Sequence, residues 1–224
     1  MSVESSWPSI KDRIWRCRDC HGDTRVATNI RQSTPAPIPF AKLLVVSLAP
    51  PFIEGVTVKT EAQSVSNNPE DHLRQFLQNV LRQPWRDVLA AGVIVLHAVK
   101  CGIIPTVEGF QNPPPRVVDR CARQHLAAEF RNVRAPVVVT LGAMAYRAVY
   151  QSAMATNGFV KPRELKLSEP PTAALASADG YQIQLPDFAF KLFAGPFIRG
   201  AGRKEAERRL IQAAATAGVY AMPS

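Results

Sequence analysis

Four short runs of apolar residues divide the chain, and each run predicts a buried strand. The first run is continuously apolar and contains β-branched residues, which is typical of a strand in a parallel sheet covered on both faces. The first run ends at Pro50 and Pro51, because proline cannot continue a central strand. The predicted strands cover residues 42–48, 93–99, 136–141 and 188–193.

Segments with helical spacing of apolar residues separate these runs. The predicted helices cover about residues 69–82, 116–132, 143–151 and 203–217, with a short helix within residues 1–16. Residues 154–186 show little pattern and predict loops with weak strand content. Strands that alternate with helices predict an α/β fold in one domain, residues 1–224, with a central, mainly parallel four-stranded sheet. Ligands of such sheets bind at the carboxyl ends of the strands.

The charge of the chain narrows the class of partner. The sequence has 27 basic and 18 acidic residues, a net charge of +9 and a pI near 9.8. This balance favours a polyanionic partner, with nucleic acid first, although a merely soluble basic protein has the same charge. The longest apolar run is too short to cross a bilayer, and residues 1–15 lack a secretory signal pattern. We therefore expect a cytoplasmic, nucleoid-associated protein with no membrane partner.

Four cysteines are the most distinctive chemical signal. Cys17 and Cys20 form a C-x-x-C pair, and Cys101 and Cys121 flank a loop that contains Asn112 and three prolines. In a reducing compartment such thiols are typical metal ligands, and four thiolates suit zinc or a [4Fe–4S] cluster equally well. Two disulfides, or four unlinked buried thiols, are the alternatives.

The order of these motifs resembles the iron–sulfur uracil-DNA glycosylases. The resemblance rests on the run from His97 to Cys101, the prolines that follow Asn112, a helix that bears Cys121, and the upstream C-x-x-C pair. The segments 47–51 and 136–142 are similar to the first active-site motif and the third strand of that family. The resemblance implies a three-layer α/β/α sandwich and a structural [4Fe–4S] cluster on the four cysteines. It also implies a monomer that excises uracil from DNA in base excision repair, by base flipping and hydrolysis of the N-glycosidic bond.

The same resemblance assigns roles to residues at the strand ends. It places Ser47, Leu48, Ala49, Phe52 and His97 around the flipped base, with Phe52 either stacked on the base or packed in the core. A carboxylate that orients water is also needed, and Glu54 and Asp71 are the catalytic candidates beside His97, with Glu70 a further possibility. The loop that enters DNA is predicted to comprise Gly195, Pro196, Phe197, Ile198 and Arg199. Basic residues farther on, Arg203, Lys204, Arg208 and Arg209, are predicted either to contact phosphates or to form a plain solvated helix face.

Two positions depart from the family pattern. Where the family carries an Asn that reads the uracil edge, this chain has His97, which cannot present a donor and an acceptor side by side. We therefore expect relaxed selectivity among deaminated bases, unless His97 is an ordinary core histidine. The late His-Pro-Ser motif of the family reads Ala194, Gly195 and Pro196 here, so its catalytic His is missing. A catalytically inactive relative that binds damaged or single-stranded DNA is thus an alternative, and an unrelated zinc-stabilised nucleic-acid-binding domain is a third.

Overall fold

A computed structural model describes most of the 224-residue chain. The described residues are 7–20, 22–23, 26–31, 41–50, 72–104, 112–157, 159–161, 180–198 and 200–220. The helices among them are α1 (Trp7–Arg16), α2 (His72–Leu81), α3 (Trp85–Ala90), α4 (Pro115–Cys121), α5 (Ala127–Val133), α6 (Ala143–Ala155) and α7 (Arg203–Thr216). The strands are β1 (Val26–Arg31), β2 (Leu43–Ser47), β3 (Val93–His97), β4 (Cys101–Ile103), β5 (Val137–Leu141), β6 (Phe159–Lys161), β7 (Tyr181–Gln184) and β8 (Ala189–Gly195).

The four predicted strands form the parallel part of one sheet. The strand order of this six-stranded sheet is β3-β2-β5-β8-β7-β6, and β3, β2, β5 and β8 run parallel. Every residue of β2, β3 and β5 is buried, which explains why their sequences are apolar throughout. The prediction of a central, mainly parallel sheet is confirmed, and two short strands extend it.

These additional strands come from the segment predicted to have weak strand content. β7 pairs antiparallel with β8, and β6 pairs antiparallel with β7 at the edge of the sheet. Both strands are short, and Ile183 is the one fully buried residue of β7, so their apolar signal in the sequence is weak. The predicted number of four strands was therefore too small by two for this sheet.

Helices cover the sheet on both faces, as a three-layer α/β/α sandwich requires. One apolar core joins Leu44, Val46, Ile94 and Leu96 of the sheet to helices α4, α5 and α6. A second core lies on the opposite face of the sheet. It joins the strand residues that alternate with those of the first core to helices α2, α3 and α7. The predicted fold class is confirmed. Among the described residues, no helix combines the length and apolar character needed to cross a membrane.

The helix predicted over residues 116–132 is interrupted in its middle. Helix α4 ends at Cys121, a five-residue π-helical turn spans Ala122–Leu126, and α5 continues from Ala127. Such turns are rare and frequently mark functional sites. The apolar spacing of the sequence predicts a helix over this range, but it does not indicate the extra residue in the π-helical turn.

A small second sheet connects the amino-terminal segment to the main domain. Strand β1 pairs antiparallel with β4, with Val26 opposite Ile103 and Ala27 opposite Gly102. Strand β4 begins at Cys101, four residues beyond the end of β3. This pairing brings the segment that follows the C-x-x-C pair beside the carboxyl end of β3.

Candidate active site and cysteine cavity

The four parallel strands end together at one edge of the sheet. Ser47 and His97 are register partners at the ends of β2 and β3, and Leu141 and Gly195 are register partners at the ends of β5 and β8. Because ligands of open α/β sheets bind outside the carboxyl ends of the strands, this edge is the candidate active site. The structure therefore brings the first motif, His97 and the predicted DNA loop to the same edge.

Ser47 and His97 form a buried polar pair at this edge. The Oγ atom of Ser47 lies 2.6 Å from Nδ1 of His97, and the two residues are 9% and 2% exposed. Their side chains share the sheet face of Val45 and Val95, because side chains alternate along a strand. Buried polar side chains are hydrogen-bonded as a rule, so this contact suits a satisfied core histidine as well as a residue that contacts a base.

Leu48 and Ala49 follow Ser47 and continue the strand pairing for a short distance. The main-chain N–H of Ala98 donates to the carbonyl of Ser47, and the N–H of Val99 donates to the carbonyl of Leu48, both across 2.8 Å. The side chain of Leu48 is buried in the first core, and Ala49 is partly buried against it. These bonds fix the backbone beside His97. The predicted contact of the Leu48 and Ala49 N–H groups with a base stays a prediction.

Lys100 links the carboxyl edge of the sheet to helices α4 and α5. Its ammonium Nζ donates to the carbonyl of His97 across 2.6 Å and forms an ion pair with the carboxylate of Glu129 on α5. Both charged side chains are buried. The main-chain N–H of Lys100 donates to Sγ of Cys121, with a nitrogen–sulfur distance of 3.3 Å. One residue therefore contacts the strand end, a buried acid and a cysteine.

Glu129 was not identified from the sequence, although its position among apolar residues indicates that it is buried. Glu129 lies three residues after Leu126 and four residues before Val133, on the apolar side of α5. An acid on the buried face of a helix needs a cationic partner, since an unpaired buried charge is costly. The spacing therefore indicates burial, but only the fold identifies Lys100 as the partner.

The four cysteines converge on one cavity. Cys17, Cys20, Cys101 and Cys121 all line it, together with Lys100 and His125. Helix α1 ends just before Cys17, β4 begins at Cys101, and α4 ends at Cys121. None of the four forms a disulfide, so the disulfide alternative is not what the structure contains. Within the described ranges, however, no three His, Cys, Asp or Glu side chains are spaced as a metal-binding group.

Burial raises the pKa of two of the cysteine thiols. Burial raises the pKa of Cys121 to about 12, and the nearby positive charge of Lys100 opposes this shift. Burial and the neighbouring Cys17 also raise the pKa of Cys20, which Arg120 opposes. Without a compensating cation these thiols are protonated at neutral pH, and a bound metal ion would favour their thiolate forms.

Two further residues, Arg120 and His125, line the cavity. Arg120 donates from its guanidinium to the carbonyl of Asp19 across 2.7 Å, which attaches the C-x-x-C loop to α4. His125 is buried on the π-helical turn, four residues after Cys121. Sequence reasoning did not single out His125. Its position four residues after Cys121 indicates that it lies near that cysteine, because residues four apart lie on similar faces of a helix.

The described part of the predicted DNA loop begins with Gly195, the last residue of β8, and continues into the loop after that strand. Gly195 is buried, and its carbonyl accepts a hydrogen bond from the N–H of Gly142 across 2.8 Å. Phe197 packs over Gly142, whose φ of 108° favours glycine, yet remains 39% exposed. Pro196 packs closely against Gly202, and Ile198 is partly buried against the second core. Phe197 is thus the residue of this group that presents a large apolar surface.

Helix α7 carries the basic residues predicted to contact phosphates or solvent. Arg209 is 1% exposed, and its guanidinium Nε lies 2.9 Å from the carboxylate of Glu205. The prediction that Arg209 belongs to a phosphate-contacting or solvated face is therefore wrong, because its side chain lies inside the protein. Arg203 and Arg208 remain more exposed, and they pair with Glu207 and Glu205.

Several predicted site residues lie outside the described residues. They are Phe52, Glu54, Glu70, Asp71 and Arg199. Their predicted roles in base stacking, water orientation and DNA contact stay predictions.

Comparison with known families agrees with this α/β fold. The model of the Uracil DNA glycosylase superfamily matches residues 36–195, which is more than half of the chain. The match spans all four parallel strands and their carboxyl ends. The chain belongs to the uracil-DNA glycosylase superfamily. No curated protein matches the chain.

Proposed function

We propose that this protein is a monofunctional DNA glycosylase that removes uracil, or another deaminated base, from DNA. The observation that carries the proposal is the buried Ser47–His97 pair at the carboxyl edge of the sheet in a chain of this superfamily. The reaction extrudes the base from the helix and hydrolyses its N-glycosidic bond, in the manner of base excision repair. The partner is therefore DNA that contains a deaminated base.

Departure of the base leaves negative charge on its ring. The imidazole of His97 supplies a hydrogen-bond donor that stabilises this charge, a role that suits a preorganised group in a buried site. Ser47, Leu48 and Ala49 line the base, and Phe52 stacks on it. A carboxylate, Glu54 or Asp71, orients the attacking water and stabilises the positive sugar.

The DNA is held open by the loop after β8. Phe197 is exposed at the edge where the base must enter, so its ring is suited to wedge between bases as the target leaves the stack. Arg199 and the exposed basic residues of α7 contact phosphates. The net charge of +9 supports association with a polyanion.

The cysteine cavity is the proposed site of a [4Fe–4S] cluster, with zinc as the less favoured occupant. The residues fit in number and type, because four thiols line one cavity and the N–H of Lys100 is directed at one sulfur. The thiols must move closer together to complete the ligand set, because no three of the described side chains are spaced to hold a metal ion. When bound, the cluster supplies structural cross-linking of the amino-terminal segment to α4 and β4, which braces the loop beside His97.

The test is a glycosylase assay on single- and double-stranded oligonucleotides that contain uracil, hypoxanthine or xanthine. Alkali treatment converts abasic sites to strand breaks. Wild-type protein is compared with His97→Ala and with His72→Ala, which alters an exposed histidine on α2. We expect base release by wild type and His72→Ala, and a loss of about 100-fold or more in His97→Ala. Equal activity in all three proteins would remove His97 from the mechanism.

A second candidate function is DNA binding without catalysis. It is favoured by Ala194, Gly195 and Pro196, which stand where the family has its late catalytic His motif. Binding of the same oligonucleotides without any abasic sites, on any deaminated base, would replace the glycosylase proposal with this one.

A further inference from the structure

The basicity of the two groups indicates the direction of the hydrogen bond between Ser47 and His97. The Oγ atom of Ser47 lies 2.6 Å from Nδ1 of His97, and by geometry alone either group can be the donor. The unprotonated nitrogen of an imidazole is a much stronger base than a hydroxyl oxygen, so the bond in which the hydroxyl donates is the stronger of the two. We infer that Ser47 donates its hydroxyl hydrogen to Nδ1 and thereby holds neutral His97 in the tautomer that carries its proton on Nε2. Ser47 is then a positioning residue that acts through His97.

The backbone around the pair keeps both partners in place. Ser47 and His97 are register partners at the last positions of adjacent parallel strands. The carbonyl of Ser47 accepts from the N–H of Ala98, and the carbonyl of His97 accepts from Lys100. Neither residue can shift along its strand without breaking these bonds, so the backbone at both positions is held in place, and the contact with Ser47 orients the ring of His97.

The tautomer decides what the ring offers. In a neutral imidazole one nitrogen is a donor and the other an acceptor. If Nδ1 accepts from Ser47, Nε2–H is a donor and suits a base carbonyl or a departing base anion. If Nδ1 instead donates to Ser47, Nε2 is an acceptor and repels the same group. The consequence for catalysis rests on the proposed glycosylase function, whereas the tautomer itself is a property of the free protein.

The experiment reads the tautomer directly by NMR of protein with ¹⁵N-labelled histidine. The signals of His97 are assigned by their loss in His97→Gln. Wild type is compared with Ser47→Ala, with Ser47→Thr, which retains the hydroxyl, and with Ser152→Ala. Ser152 is a matched control, since its buried hydroxyl bonds to the carbonyls of Ala148 and Ala122, away from His97.

We expect the Nε2–H tautomer in wild type, Ser47→Thr and Ser152→Ala, and a mixed or inverted tautomer in Ser47→Ala. A proton on Nδ1 in wild type would overturn the inference, even if Ser47→Ala failed to fold. An unchanged tautomer in folded Ser47→Ala would overturn it as well.

Kinetics connect the tautomer to the reaction. We expect kcat for base release to fall about 10-fold in Ser47→Ala with a smaller change in KM, and to recover in Ser47→Thr. Retained kcat in Ser47→Ala, despite an altered tautomer, would overturn the positioning role. An Nε2–H tautomer in a wild-type protein without base release would sustain the tautomer assignment and refute the proposed glycosylase function instead.

Discussion

The ammonium group of Lys100 lies 2.6 Å from the carbonyl oxygen of His97 and pairs with Glu129 at the same time. This contact connects the end of β3, where the candidate base-binding residue lies, to helix α5. The N–H of Lys100 extends the connection to Cys121. The active-site edge and the cysteine cavity are therefore neighbours that share one residue.

The buried pair of Lys100 and Glu129 predicts that removing one charge destabilises the protein more than removing both charges. Glu129→Leu leaves a buried ammonium without its carboxylate, which we expect to lower the free energy of unfolding by about 3–5 kcal/mol. Replacing both residues, as Lys100→Met with Glu129→Leu, removes both charges and should cost clearly less. Urea denaturation followed by circular dichroism measures both values.

An exposed pair provides the control for this prediction. Arg203 and Glu207 pair across 3.0 Å on the surface of α7, and Arg203→Ala should change the free energy of unfolding by no more than about 1 kcal/mol. If Glu129→Leu proves as mild as Arg203→Ala, the buried ion pair is not a significant part of the fold.

The parallel strands were predictable because a strand that is covered on both faces of the sheet has an apolar sequence. The predicted strand at residues 93–99 contains β3, although β3 ends two residues earlier, at His97. Parallel strands share one carboxyl edge, so the meeting of Ser47 and His97 also follows from the pattern. The hydrogen bond between them does not, because it depends on the exact register of the two strands.

Features that depend on tertiary partners could not be predicted. The short strands β6 and β7 gain their hydrogen bonds from the edge of β8 rather than from apolar spacing. Arg209 lies at helical spacing from Ala206 and Ala213, on the buried face of α7, yet its charge suggested exposure. Its partner Glu205 lies four residues earlier on the same helix, a spacing that the sequence shows, but the burial of Arg209 follows from the packing of α7 against β8.

The cysteine cavity predicts a measurable cofactor. Aerobically or anaerobically purified protein should contain about four iron and four sulfide per chain, with a brown colour and visible absorption. Cys17→Ser, Cys101→Ser and Cys121→Ser should each lose most of the iron, whereas Gln124→Ala, at the same cavity, should retain it. Stoichiometric zinc in a colourless protein would replace the cluster with a zinc site, and absence of both metals would leave four unlinked thiols.

Glu205 predicts a dependence of stability on pH. Hydrogen bonds from Arg208, supported by Arg209, hold the pKa of Glu205 below its ordinary value of 4.5. A carboxylate whose pKa is lower in the folded state stabilises the protein above the unfolded pKa, and this contribution disappears as the pH falls through the folded value.

Glu205→Gln should therefore lower the free energy of unfolding at about pH 7, by about 1–3 kcal/mol, because Arg209 remains buried without its carboxylate. The difference between wild type and variant should shrink at about pH 3. Glu207→Gln, which affects only an exposed pair, is the matched control. Urea denaturation at both pH values tests this, and a difference that grows toward acid would contradict the assignment.

Phe197 predicts a difference between two forms of substrate. If its exposed ring fills the space left by the flipped base, its loss should slow excision from duplex DNA, where the base must leave a stack. We expect Phe197→Ala to lower kcat/KM on a uracil-containing duplex by about 10-fold or more, because loss of one aromatic stacking contact costs about 1–3 kcal/mol. The effect on the single-stranded oligonucleotide should be smaller, since its bases are less constrained.

Met154→Ala is the control, because Met154 is 51% exposed on α6 and away from the strand ends. Equal losses on both substrates, or equal losses in both variants, would show that Phe197 does not act as a wedge and would direct attention to the other residues after β8.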